Sequence, residues 1–317
     1  MRVVSILHKI AMLALFSYAQ KTVAQCRIVD RMPEYWNLVS ESGSQSPPQQ
    51  VASFRRALDL AHTNLYSKTG LGFETDEQLD HAILKALGEA RQNRQVAEGM
   101  STKVRSTFAS ELVHFKKMFP DFQCNFEIYL VPSLGSLDGA GRVVDGQPAL
   151  VFGVDSIASE FSAEPLQLPI FIDHELFHRY HSQVSGFSDD KGQQEILWRG
   201  LWAEGLATYV SMVLNPPSSL QDALFLPRDL VSRASPIRSV LAKQLAARLD
   251  LADPDVFRQY FSYHAKDVDG VPPRSGYYIG ALAAQQLAQH NTLQQLAHLQ
   301  SEALRKNLAE TLEQFSK

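Results

Sequence analysis

Residues 170–181 read IFIDHELFHRYH. No proline or glycine interrupts Ile170 to Val184, and the apolar residues Ile170, Phe171, Ile172, Leu176 and Phe177 suit a buried helix. His174 and His178 stand four residues apart, hence on one face of that helix, where both imidazoles can turn to a single metal ion. Neutral imidazole nitrogen suits Zn²⁺, and two such ligands leave room for a third protein group and a water. Glu175 follows the first histidine directly. That position meets the water rather than the ion, so its carboxylate can take the water's proton.

A five-residue motif can arise by chance, so its surroundings carry weight. Downstream, residues 197–214 (LWRGLWAEGLATYVSMVL) place Leu197, Leu201, Ala207 and Val210 at the spacing of a second buried helix. Glu204 is the one acid in that stretch. A carboxylate is seldom buried unless paired or bound to a metal, and two histidines in need of a third ligand give it a reason to be there. Gly205, next to it, permits close helix–helix approach and is consistent with two helices meeting at a metal. Glu195 lies nearer to His178, but its neighbours (GQQEI) are polar and read as solvated. His181 shares the face of His174 and reads first as a half-exposed helix histidine, with a substrate contact as the alternative. Asp173 can orient the site or cap the helix.

HELFH followed by WAEGLATY resembles the gluzincin class of zinc metallopeptidases. More closely, it resembles a bacterial group of predicted zinc-dependent proteases that carry a later G-Y-Y-I-G segment, here Gly276-Tyr277-Tyr278-Ile279-Gly280. The likeness extends over about residues 148–290 and leaves residues 25–147 unplaced. It implies one zinc ion with His174, His178 and Glu204 as ligands, Glu175 as general base, and a thermolysin-like core. One departure is that 25 residues separate His178 from Glu204, more than in the best-known gluzincins. The stretch 185–194 can loop out to absorb them. A metzincin is excluded, because the places of its glycine and third histidine hold His181 and Val184.

Amide hydrolysis develops negative charge on the former carbonyl oxygen, which a tyrosine or histidine donor can share with the metal. Tyr277 and Tyr278, after the PPRSG turn, are the leading candidates, with Tyr263 and His264 behind them. Both tyrosines also read as packing residues with anchored hydroxyls. The strand Ala149 to Val154 reads either as an edge on which an extended peptide pairs or as a plain core strand.

The remaining chain divides by composition. Residues 1–24 read as an export signal: Arg2 and Lys9, an apolar run from Ile10 to Ala19 too short to span a bilayer, then Thr22-Val23-Ala24. An uncleaved anchor, or lipidation at Cys26, is the alternative. Residues 25–50 read as a linker, since 40–50 (SESGSQSPPQQ) are polar and rich in Pro and Ser. Residues 51–124 form a helical region on the spacing of Phe54, Leu58 and Ala61, of Leu79, Ile83 and Leu87, and of Phe108, Leu112 and Phe115. The catalytic region is 125–317. It opens with strands near 126–131 and 149–152, separated by the Gly/Asp-rich stretch 135–146, and continues as helices. The expected class is therefore α+β, predominantly α-helical, with a small sheet and two helical lobes around a zinc cleft.

Cys26 and Cys124 are the only cysteines, too few for a cysteine zinc site, and are free to bridge or stay apart. A net charge of −4 without a Lys/Arg-rich run gives no electrostatic case for nucleic acid or a polybasic membrane contact. The expectation is an exported zinc hydrolase, periplasmic or secreted, with a peptide or protein substrate. A zinc-stabilised module without activity, and a zinc hydrolase with a non-protein substrate, are the alternatives.

Overall fold

The computed structural model describes residues 26–59, 64–161, 167–187, 196–263, 265–299 and 301–317. The expected signal segment 1–24, Glu195 and His264 lie outside the described residues. β1 (Arg27–Asp30) leads into α1 (Met32–Ser42) and α2 (Pro47–Phe54), which runs on as a π-helical turn, Arg55–Asp59. α3 (Lys68–Leu71) and the long α4 (Asp76–Met118) precede β2 (Glu127–Val131), β3 (Gly139–Val144) and β4 (Gln147–Gly153). Helices follow: α5 (Val154–Phe161), α6 (Gln167–Ser185), α7 (Leu197–Leu214), α8 (Leu220–Leu224), α9 (Leu230–Ala234) and α10 (Arg238–Ala246). The chain ends with α11 (Pro254–Phe261), α12 (Ser275–Leu287), α13 (Leu293–Ala297) and α14 (Ser301–Phe315). This is the α+β, mainly helical class. No helix among the described residues is long and apolar enough to cross a membrane.

Two sequence expectations need correction. The stretch read as a linker, 25–50, is folded over its described residues, 26–50. Met32, Tyr35, Trp36 and Val39 of α1 are buried, and the Tyr35 hydroxyl donates to the Ala86 carbonyl at 3.0 Å. The Ser/Pro run is a helix start: Pro47 occupies the first turn, where a missing N–H costs nothing, and the Ser46 N–H donates to the Gln49 side chain at 2.8 Å. Cys26 and Cys124 are disulfide-bonded, with Cα atoms 4.8 Å apart, so the residue before β1 is also covalently tied to the segment that leads into β2.

The second correction concerns the spacer 135–146, which contains β3. The sheet order is β1-β2-β4-β3, parallel except for the β3/β4 hairpin. That order also decides between the two readings of the strand near 149–154. β4 is paired on both sides and buried from Ala149 to Gly153, so it is a core strand and β3 is the outer one. Gly139 and Gly141 hid β3, since glycine is depleted in strands and lowers the β signal.

α7 is apolar around most of its circumference, and such a helix must be covered on most sides. α6 packs on one flank and α12 on another. A Cβ at Gly205 would lie 2.2 Å from the carbonyl carbon of Gly280, and one at Gly280 would lie 2.2 Å from the Leu201 oxygen. The close approach expected at Gly205 therefore exists, but with α12 rather than across the metal ligands. Gly205 is one residue past Glu204 and so about 100° further round the helix.

Gly205→Ala forces these backbones apart and should cost about 2 kcal/mol in urea unfolding. Gly99→Ala, at an exposed site on α4 with no atom within 4 Å of the new Cβ, should be neutral or stabilise by up to about 1 kcal/mol.

Candidate metal centre

α6 and α7 bring three donors together. His174 Nε2 and His178 Nε2 are 3.0 Å apart, and Glu204 Oε2 lies 3.5 Å from the first and 3.3 Å from the second. A tetrahedral ion held at about 2.0–2.1 Å by each donor spaces its ligands by roughly 3.3 Å. The three separations bracket that value, so the donor set fits a zinc-sized ion, and its members are among the described residues that group as possible metal ligands.

Protonation states agree with this use. Burial, before any other cause, pushes His174 down to about 4, which keeps the imidazole neutral and its lone pair available. Burial alone would raise Glu204, but the charge of His178 and the hydrogen bonds of His174 and His178 outweigh it and hold the carboxyl well below its ordinary range. The Glu204 side chain stays 25 % exposed, its opening being toward a cavity of about 720 Å³ lined by the three donors and Glu175.

Glu175 is 8 % exposed, and its carboxyl is pushed up to about 7, first by burial and then, against the pull of His178, by Asp138 and Glu204. A group that titrates near neutrality can both take and return a proton there. β3 runs close over it. A Cβ at Gly139 would come within 2.9 Å of Glu175 Cγ and Cδ and 2.8 Å of Phe171 Cζ, so glycine is what lets the strand approach the acid.

The two tyrosines separate. Tyr277 lines the cavity, its ring stacks near His174 at 6.3 Å between centroids, and its hydroxyl is raised well above the ordinary phenol range by burial and then by Glu204. Tyr278 is 4 % exposed, belongs to the hydrophobic core and does not line the cavity, which removes it from the candidate oxyanion donors. Neighbours on a helix point about 100° apart, so one cavity takes only one of them. Tyr263 also lines the cavity and is half-exposed.

His181 is not the half-exposed residue expected from its spacing. It is 2 % exposed, packs against Phe187 at 4.6 Å and Phe177 at 5.8 Å between ring centroids, and lines the cavity. Burial pushes it down to about 3, so it is neutral. Asp173 does not cap α6, which starts six residues earlier at Gln167; its Oδ2 accepts from Asn215 Nδ2 at 2.8 Å, away from the cavity.

Sequence reasoning missed Arg142 on β3 and Arg274 before α12, both in the cavity wall. Arg274 has φ 60°, a left-handed backbone that places its guanidinium 4.1 Å over the Tyr277 ring. A lone arginine in a Gly-rich strand or a PPRSG turn carries no signal of its own.

In chelator-treated protein, the raised Glu175 stabilises the fold fully below about pH 4.5, and that contribution is lost as pH rises toward 7. Glu175→Gln should therefore gain stability relative to wild type by up to roughly 3 kcal/mol between pH 4.5 and 7.5, read from unfolding curves at both pH values. Comparison of the chain with protein-family models, with curated proteins and with solved structures found no match.

Proposed function

We propose that the protein is a zinc-dependent peptidase of gluzincin type, with zinc held by His174, His178 and Glu204. The observation that carries the reading is the mutual 3.0–3.5 Å spacing of those donors beside a buried, near-neutral Glu175. When bound, zinc supplies a Lewis acid that acidifies a water and polarises a carbonyl. Glu175 takes the water's proton and delivers it to the leaving amine, as its near-neutral titration favours. Tyr277 donates its phenolic O–H to the oxygen that gains charge, and its raised pKa keeps that proton in place. Neutral His174 and ionised Glu204 hold the ion without competing for protons.

A catalytic rather than a purely structural ion is favoured by donors that open, beside Glu175, on a cavity of about 720 Å³, which leaves a position for a water. A peptide is favoured by β3. Its Gly139, Ala140 and Gly141 line the same cavity on an edge strand of the sheet, where an extended chain can pair by backbone hydrogen bonds. Arg142 beside them offers a guanidinium to a substrate carbonyl or carboxylate. Export, the compartment proposed for it, agrees with the Cys26–Cys124 disulfide, which needs oxidising surroundings to persist.

Wild-type protein, loaded with zinc and incubated with a peptide library read by mass spectrometry, should cleave; Glu175→Gln should keep its zinc and lose about 10²–10⁴-fold in kcat/KM. Tyr277→Phe should lose about 10²-fold in kcat with KM little changed. Cleavage unaffected by Glu175→Gln would sink the reading, and turnover of esters or cell-wall peptides alone would move it to a non-protein substrate.

A further inference from the structure

Asp173 sits beside a proposed ligand but on another face of α6, and its carboxylate is at odds with its surroundings. It is fully buried. Its Oδ2 accepts one hydrogen bond, from Asn215 Nδ2 at 2.8 Å, and its buried Oδ1 has no partner among the described residues. A buried carboxyl oxygen left without a hydrogen-bond partner is costly, and the Asn215 amide serves only the other oxygen. Nor is any lysine or arginine within 4.0 Å of it among the described ion pairs.

What does face it comes from α4. Glu111 and His114 are three residues apart, hence on one face of that helix, with His114 Nδ1 3.8 Å from Glu111 Oε2. One ligand atom from each of Glu111, His114 and Asp173 lies within 4.8 Å of the other two. The Glu111 side chain is 15 % exposed and that of His114 42 %, so the cluster is shut on the α6 side and open to water on the α4 side.

We propose that Glu111, His114 and Asp173 form a second divalent-metal site, outside the cavity, that joins α4 to α6. Two carboxylates and one imidazole are a mixed oxygen and nitrogen set. The imidazole selects a zinc-class transition metal over calcium or magnesium, which take oxygen alone. Water on the open side completes the coordination. The ion compensates the stranded Asp173 oxygen and ties the long α4 to the helix that carries His174 and His178. Its role is structural, since none of the three residues lines the cavity. The proposal does not depend on the catalytic reading.

The test uses the full chain, stripped with a chelator and titrated with Zn²⁺, with bound metal measured by atomic emission after removal of free ion. The variants are Glu111→Ala/His114→Ala, at surface-reaching positions that leave the core intact, and His174→Ala/His178→Ala at the cavity. Wild type should bind two equivalents and each double variant one. Zinc should raise the thermal midpoint of His174→Ala/His178→Ala, through the second site alone, and should raise that of Glu111→Ala/His114→Ala by less than that of wild type. Identical zinc content and identical midpoint response in wild type and Glu111→Ala/His114→Ala would overturn the second site. Loss of the cavity equivalent alone would leave it standing, so the two proposals fail separately.

Discussion

Three polar side chains must be carried into an apolar seam without leaving charge stranded there, and the structure is organised around that constraint. His174, His178 and Glu204 meet where α6 packs on α7, two helices whose other buried residues are mainly apolar, with Asp173, Glu175, Arg179 and His181 of α6 the titratable exceptions. Burial makes His174 a neutral donor, while the two histidines keep Glu204 ionised against the same burial. Together they present two ring nitrogens and one ionised carboxylate within 3.5 Å of one another, a set that a divalent cation would complement. Everything nearby either holds that seam shut or opens one side of it.

The shut side is the work of α12. Because Gly205 and Gly280 lack side chains, the backbones of α7 and α12 touch, and the Tyr277 ring is brought over His174 by that contact. The open side belongs to β3, whose Gly139 admits the strand up to Glu175. Two glycine contacts, one between helices and one between strand and acid, set the height and width of the cavity. Substitution of either changes the site without touching a ligand.

The N-terminal region takes part in this arrangement. β1 extends the sheet, the Cys26–Cys124 bond ties the residue before it to the run into β2, and α4 packs along α6. The helix that carries the ligands is thus braced from behind by residues that the gluzincin resemblance does not cover. Buried Asp173 lies on that braced face, and so a second ion between α4 and α6 would stiffen the first site from outside it.

Taken alone, the sequence carried local information. The four-residue spacing of His174 and His178 requires a shared helix face, and the lone acid of residues 197–214 had few reasons to exist other than a ligand role. Helix period and turn residues also marked most of the helices and β2. Which of Tyr277 and Tyr278 faces the site, how deeply His181 is buried, that β3 rather than β4 is the outer strand, and that residues 26–50 fold were all decided in three dimensions. Each depends on what a neighbouring element covers: helix phase against α7, the ring of Phe187 over His181, pairing on both edges of β4, and the core beneath α1. Periodicity within one segment records which side is apolar, and only packing between segments determines what that side meets.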